Sequence, residues 1–415
     1  MVPFVYRCTV CGGRFERDRV RYLCPECGKA YHPGMPLSGV LTAEFDHERI
    51  RRKFRRAKPD WNLFCAVEPE FHPPYAMAPT PFARSAALGE AFGVPDVWIK
   101  NDGLNPSGSL KDRASFLVVA EAIRLGERTI VTAATGNAAS SLAAVCAAAG
   151  RRAVIFVPES APKAKLAQML LHGAQVVPVD GTYDDAFRLS LDYTARYGGL
   201  NRNTAYHPLT IEGKKTVGLE IWQQNGGRAP SVVVVPTGDG VILAGVHKAF
   251  LDLRDAGLIE RLPRLVCAQA ERSSAIHDYI VTGHYRDAVS PSTVADSISV
   301  SVPSNAHLAR AAVLQSHGCS VTVSDEEILA AQRTLAAASG VFAEPAAAAA
   351  VAALARLRDG RLLAADDQVV VLVTGHGLKD VDAALRGVEM PAAIPPTARG
   401  LDSVAERLAE KGVPA

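Results

Sequence analysis

Residues Asn105-Pro-Ser-Gly-Ser-Leu-Lys-Asp-Arg113 place one lysine, Lys111, where an amine can act as a nucleophile. Pro106 and Gly108 fix a turn. Ser109 is positioned to cap the helix that follows, and the run from Phe116 to Ala122 is apolar with helical spacing. Lys111 then falls in the first turn of a helix, where the positive end of the helix dipole disfavours an ammonium. A lowered pKa there suits an amine that forms an imine with a carbonyl compound. Taken by themselves, the same residues also read as a solvated Lys-Asp-Arg at a helix start.

A second group with chemistry lies at the N-terminus. Of the eight cysteines, four are clustered as Cys8-x2-Cys11 and Cys24-x2-Cys27, with twelve residues between the pairs. A glycine follows the second cysteine of each pair, so the backbone can turn and aim amides at the thiolates. Four thiolates around a tetrahedral zinc hold together a segment too small to bury a core, and residues 1–35 are expected to form a structural zinc ribbon. A redox Cys-x-x-Cys is the alternative. Cys65, Cys146, Cys267 and Cys319 are scattered in apolar surroundings and read as small packing residues.

The chain that must position these groups has 415 residues, 48% of them hydrophobic and 21% charged, the balance of a globular enzyme. A net charge of +2 with no dense basic stripe argues against nucleic acid as a partner. No signal peptide is visible and no apolar run is long enough to span a membrane, so a cytoplasmic protein without membrane partners is expected. Residues 36–95 read as an irregular connector and the start of the main body. From residue 96 onward, short β-branched runs alternate with helical patterns. The strands are Val97–Lys100, Thr129–Thr132, Ala153–Val157, Gln175–Val179, Val232–Val235, Leu265–Ala268, Ser320–Val323 and Val369–Val373. This is an α/β fold with mainly parallel sheets. A smaller mobile domain is expected over 96–215, a large domain over 216–390, and a tail over 391–415 with a short amphipathic segment at Leu401–Leu408.

Parallel sheets place ligands at the carboxyl ends of their strands. Three glycine turns occur there: Ala133-Ala-Thr-Gly-Asn-Ala138, Pro236-Thr-Gly-Asp-Gly-Val-Ile242 and Thr374-Gly-His-Gly-Leu-Lys-Asp380. The first can hold an anion at a helix N-terminus through its amides and Thr135. The second reads as a phosphate cradle. Asp239 within it would repel a phosphate unless its side chain turns away.

Together these motifs resemble the threonine synthase family, within the fold type II pyridoxal-phosphate enzymes. The resemblance rests on Asn105–Arg113, Ala134-Thr-Gly-Asn-Ala-Ala-Ser140, Glu212-Gly-Lys-Lys-Thr216, Gly238-Asp-Gly240, Ala343-Glu-Pro345 and Val373-Thr-Gly-His-Gly-Leu-Lys-Asp380, in family order from about residue 80 to 390. It implies a two-domain body, and an N-terminal cysteine ribbon also occurs in the family. It implies pyridoxal 5′-phosphate held through a Schiff base to Lys111, with Asn137 on its phenolic oxygen. Thr237, Gly238, Asp239, Gly240, Val241 and Ile242 would surround the phosphate, Glu344 would line the ring, and Thr374 would meet the pyridine nitrogen. A hydroxyl there moderates the ring as an electron sink. Thr135, Gly136 and Asn137 would receive the carboxylate of a small amino-acid substrate. The implied reaction is a lyase-type conversion of O-phospho-L-homoserine to L-threonine and phosphate. The implied assembly is a homodimer.

The sequence departs from that pattern where the substrate phosphate should bind. Ala134 and Ala138 replace hydroxyl residues. Thr204, Ala205 and Thr210 stand where relatives often carry Asn, Ser and an arginine, and Asp239 replaces the commoner Asn. An arginine–phosphate fork is not replaced by a threonine hydroxyl. Lys214, Lys215, Arg202 or His207 are the candidates for supplying charge instead, with at least one of the two lysines expected on a solvated helix face. The alternative function is β-elimination or β-replacement on a related amino acid, as in a serine/threonine ammonia-lyase or an O-phosphoserine-type synthase.

Overall fold

A computed structural model describes residues 3–32, 34–56, 61–134, 136–159 and 163–410. The N-terminal unit is a three-stranded antiparallel sheet of β1 (Phe4–Cys8), β2 (Arg14–Phe15) and β3 (Leu41–Phe45), in the order β2-β1-β3. It runs to residue 45, past the expected end at 35, because β3 pairs along the whole of β1, from Phe4 opposite Phe45 to Cys8 opposite Leu41. Each cysteine knuckle is closed by a backbone bond of the same kind: Gly12 N–H donates to Cys8 O (3.0 Å) and Gly28 N–H to Cys24 O (2.8 Å).

The body holds two sheets. The strands are β4 (Phe82–Arg84), β5 (Asp96–Asn101), β6 (Thr129–Ala133), β7 (Arg152–Pro158), β8 (Gln175–Val179), β9 (Leu200–Asn201), β10 (Val232–Pro236), β11 (Arg264–Ala270), β12 (Cys319–Val323) and β13 (Gln368–Val373). The larger sheet has the order β12-β11-β10-β13-β5-β4, parallel except for the edge strand β4. The smaller, β8-β7-β6-β9, is parallel throughout. All eight strands read from the sequence are present. Sheet membership does not follow the expected break at residue 96, since β5 is paired to β13 from Asp96 to Asn101 and belongs to the larger sheet.

Strands covered on both faces carry unbroken apolar runs, and Val232–Val235 are all buried. The alanine-rich helix Pro345–Asp359 starts with proline at its first turn, where no amide partner is lost, and buries Pro345 through Leu354. Helices Lys111–Arg124, Leu209–Gln224 and Val241–Asp255 pack in succession, and Leu209–Gln224 also meets β3 of the N-terminal unit. The tail segment forms a helix, Ala398–Glu410, longer than the expected 401–408. Among the described residues no helix is long and apolar enough to cross a membrane.

Candidate active site

The lysine motif is fixed from two sides. Gly108 takes a φ of +84°, and the turn is clamped to the 374–376 loop: Leu110 N–H donates to Thr374 O (2.9 Å) and His376 N–H to Gly108 O (3.0 Å). Lys111 opens the helix Lys111–Arg124. The cap position is Leu110, not Ser109, and no side chain caps it; the Ser109 hydroxyl is buried without a partner among the described residues. The Lys-Asp-Arg triplet is not solvated. Asp112 accepts from Ser107 N–H (2.7 Å), from the Ser107 hydroxyl and from Tyr75 OH (3.0 Å). Arg113 is buried between Asp102 (2.5 Å) and Glu220 (2.7 Å). Lys111 has no ion pair among the described residues, and it lines a cavity of about 580 Å³, a size suited to a small ligand. Burial lowers its pKa, Glu344 and Asp239 oppose that, and Arg202 reinforces it.

Across the cavity stand Asn137 and Glu344. Asn137 is the first residue of the helix Asn137–Ala148 and donates from Nδ2 to Glu344 Oε2 (2.9 Å) and Oε1 (3.1 Å). Glu344 also accepts from Ser297 Oγ (3.3 Å). Burial pushes its carboxyl up, against Asn137, Lys111 and Lys379, which lower it. A side chain at Gly375 would occupy the space of the Glu344 carboxylate. Gly136 lines the cavity beside Asn137. Thr135 lies outside the described residues.

The turn after β10 forms the third wall. Gly240, at φ +84°, precedes the helix Val241–Asp255, and a Cβ there would come within 2.7 Å of Ala309. The amides of Val241, Ile242 and Leu243 are first-turn donors that an α-helix leaves free, and all three residues line the cavity. Thr237 spends its hydroxyl on Val235 O (2.9 Å). The Asp239 carboxylate accepts from Ser304 N–H and Oγ, both at 3.2 Å, and so is tied to the 301–305 segment. Thr374 is buried and borders the same space. The structure thus gathers Lys111, Gly136, Asn137, Thr237, Gly238, Asp239, Gly240, Val241, Ile242, Glu344 and Thr374 around one cavity.

Two parts of the wall lie outside what the sequence reading covers. Ser297, Ser299 and Ser301 alternate along one loop of it, and the pattern Ser-x-Ser-x-Ser is the signal they leave. Tyr31, Met35 and Leu37 of the N-terminal unit also border the cavity, and Leu37 N–H donates to Ser304 O (2.9 Å). Three bulky apolar groups next to a cysteine knuckle need a surface to cover, and a unit that small has no core to take them.

The family model for pyridoxal-phosphate dependent enzymes matches residues 74–375. The threonine synthase of Methanocaldococcus jannaschii is 33% identical over 401 residues, covering 94% of this chain and 96% of its own length. The chain belongs to this family. The threonine synthase of Mycobacterium leprae is 37% identical over 317 residues, 76% of this chain and 85% of its own. Among solved structures, diaminopropionate ammonia lyase from Escherichia coli superimposes with a TM-score of 0.66 at 16% identity, covering 94% of this chain and 97% of that one. A fungal L-serine ammonia-lyase from Rhizomucor miehei gives 0.65 at 20%, over 75% and 97%. These likenesses establish the fold type II body.

The four cysteines of the ribbon are also gathered. Their sulfurs lie within 4.8 Å of one another, and Cys11 and Cys24 are 3.8 Å apart, close to the sulfur–sulfur edge of about 3.8 Å in a tetrahedron with zinc–sulfur bonds of ~2.3 Å. The Gly13 amide, with the neighbouring thiols, lowers Cys11 to about 7, while Cys27 is pushed up to about 12, chiefly by Cys11. Four thiols this close ionise together only around a cation.

Proposed function

We propose that this chain is a threonine synthase that uses pyridoxal 5′-phosphate to convert O-phospho-L-homoserine and water into L-threonine and phosphate. The observation that carries the reading is Lys111, an amine with no ion-pair partner among the described residues, in a cavity lined by a glycine turn and the free amides of a helix start. Those parts fit the cofactor. The amides of Val241–Leu243 would take its phosphate, with Gly240 leaving room for close approach. Lys111 would carry it, Asn137 would turn its amide to the phenolic oxygen, and Thr374 would meet the ring nitrogen. When bound, the cofactor supplies a sink for electron density from the substrate Cα.

The chain's own groups divide the remaining work. Lys111 Nζ, whose charged form is disfavoured by burial, removes the Cα proton of the substrate. Gly136 and Asn137, at a helix N-terminus, hold its carboxylate. A proton then leaves Cβ and phosphate leaves from Cγ; a proton is delivered to Cγ, water adds at Cβ, and the proton returned to Cα completes L-threonine. Glu344, whose charged form is disfavoured by burial, holds Asn137 in place. The Tyr31–Leu37 stretch and the serine loop exclude bulk water, which strengthens every polar contact inside. Cys8, Cys11, Cys24 and Cys27 would hold a structural zinc that fixes this stretch. Metal analysis is expected to find about one zinc per chain and none in Cys8→Ser/Cys24→Ser.

One observation favours the second reading, elimination on serine, threonine or a related amino acid. Thr210, at the position of the expected arginine, spends its hydroxyl on His207 O (2.7 Å) and on Ala205 N–H (3.0 Å), and so offers a substrate phosphate nothing. The two readings part in one assay. O-phospho-L-homoserine is expected to yield equimolar phosphate and threonine, with little 2-oxo acid from serine or threonine. No phosphate at high enzyme concentration, with 2-oxo acid formed, would overturn the first reading.

A further inference from the structure

Four cations are candidates for the charge missing at Thr210, and the structure separates them. Lys215 lies between Glu212 (2.5 Å) and Asp252 (3.1 Å) and is spent there. His207 is buried, and its Nδ1 accepts from Leu209 N–H (3.2 Å), which requires the neutral ring. Lys214 and Arg202 remain. Both are fully buried, at 1% and 0% exposure, and neither forms an ion pair among the described residues. Arg202 donates from Nε to Ser115 Oγ (3.3 Å) and from Nη1 to Thr204 Oγ1 (2.9 Å), and Nη2 has no partner among the described residues. A guanidinium rarely goes unpaired at such depth, because burying an uncompensated charge is costly.

Lys214 and Thr204 both line the cavity with Lys111. Lys214 rises beside the helix Val241–Asp255, its Cβ 2.9 Å from where a side chain at Gly245 would begin. The nearby carboxylates are committed elsewhere: Asp239 to Ser304, Asp112 to Ser107 and Tyr75. Thr204 accepts from Arg202, and among the described residues its own O–H has no acceptor. The wall therefore presents an amine, a hydroxyl and, behind the hydroxyl, a guanidinium with an unused N–H, and among the described residues no carboxylate pairs with either cation.

We propose that Lys214, Thr204 and Arg202 form the subsite for the anionic leaving group, a phosphate monoester on Cγ of the substrate. This rests on the threonine synthase reading above. It places phosphate recognition on residues 202, 204 and 214 in place of 205 and 210. Lys214 touches the phosphate directly; Arg202, behind Thr204, orients its hydroxyl and adds positive charge. The departing phosphate is stabilised as its charge rises, the moment at which a preorganised cation contributes most to turnover.

The test uses holoenzyme with inorganic phosphate as the probe, alongside L-threonine, which lacks the phosphate. In Lys214→Gln, the dissociation constant of inorganic phosphate and the KM for O-phospho-L-homoserine are expected to rise about ten- to hundred-fold. Affinity for L-threonine and for the cofactor, read from the cofactor's absorbance, should stay within about two-fold. Arg202→Lys, which keeps a charge at a position too deep to lose one safely, should show a smaller rise in the same two constants. Unchanged phosphate affinity in Lys214→Gln overturns the proposal, and so does a loss that falls on cofactor affinity. Should the wild type bind phosphate through Lys214 but release none from O-phospho-L-homoserine, the anion subsite stands and the substrate reading fails. Turnover of O-phospho-L-homoserine with no dependence on Lys214 overturns the subsite and leaves the substrate reading standing.

Discussion

Lys214 and Lys215 are neighbours on one helix, and both are buried, yet they are treated in opposite ways. Lys215 has two carboxylates, Glu212 and Asp252, while Lys214 has none among the described residues. Arg113 and Arg202 repeat the contrast. Arg113 is held by Asp102 and Glu220, with Lys100 joined to the same glutamate at 2.6 Å, whereas Arg202 keeps an unpartnered Nη2. Closed networks tie the lysine-bearing helix Lys111–Arg124 to Leu209–Gln224 and to the strand before the motif. Of the open cations, Lys214 lines the cavity and Arg202 stands behind Thr204, which also lines it. Charge that ends on a carboxylate holds the scaffold, and charge that ends on nothing is held for a ligand.

The largest way to break the comparison is to remove the open amine at its centre. Lys111→Ala is expected to lower turnover by about 10³-fold or more and to abolish the visible absorbance of the bound cofactor, with the melting profile kept. On the closed side, Asp102→Asn leaves Arg113 with Glu220 alone and should cost about 3 kcal/mol in urea unfolding. Adding Arg113→Met to it should recover part of that loss. If Asp102→Asn costs nothing while Lys111→Ala unfolds the chain, the division between scaffold and ligand charge is wrong.

Acid sharpens the comparison further. Burial lowers His207 from 6.5 to about 4. The unfolded chain therefore binds the extra proton between those values, and stability is expected to fall as pH falls from 6.5 through about 4. The loss from this ring is at most about 3 kcal/mol. His207→Asn, which retains an acceptor for Leu209 N–H, should flatten that part of the stability profile. The last expected effect is on the open side and has the opposite sign. Lys214→Met should leave stability unchanged or raise it. Its folded pKa lies well below 10.5, so the wild type gains stability as pH rises toward 10.5, and the substitution should remove that gain. Denaturant titrations from pH 4 to 10 read both.

Much of this site is legible in the sequence because its parts are local. A turn, a helix start and a β-branched strand each leave a mark within about ten residues, and so Lys111, Asn137, the Gly238–Gly240 turn and Thr374 can be placed on one cleft. What the sequence hides depends on partners far along the chain. Glu212-Gly-Lys-Lys reads as a solvated face for at least one lysine; instead both are buried, because Ala43 N–H and Asp252 meet Glu212 and Lys215 from distant segments. His207 reads as a charge and is neutral. The short strands β4 and β9 are two or three residues long and carry no periodicity. The N-terminal unit's role as a wall of the cavity depends on packing between residues more than 260 positions apart, as in Leu37 with Ser304.

The most direct measurement is the site of cofactor attachment. Holoenzyme reduced with borohydride fixes the cofactor to its lysine, and peptide mapping by mass spectrometry then reads the position. The label is expected on Lys111 alone, at about one per chain, and absent in Lys111→Ala. A label on Lys214, which also lines the cavity, or on any other lysine, or no label in cofactor-saturated enzyme, would contradict the assignment of Lys111 as the Schiff-base residue.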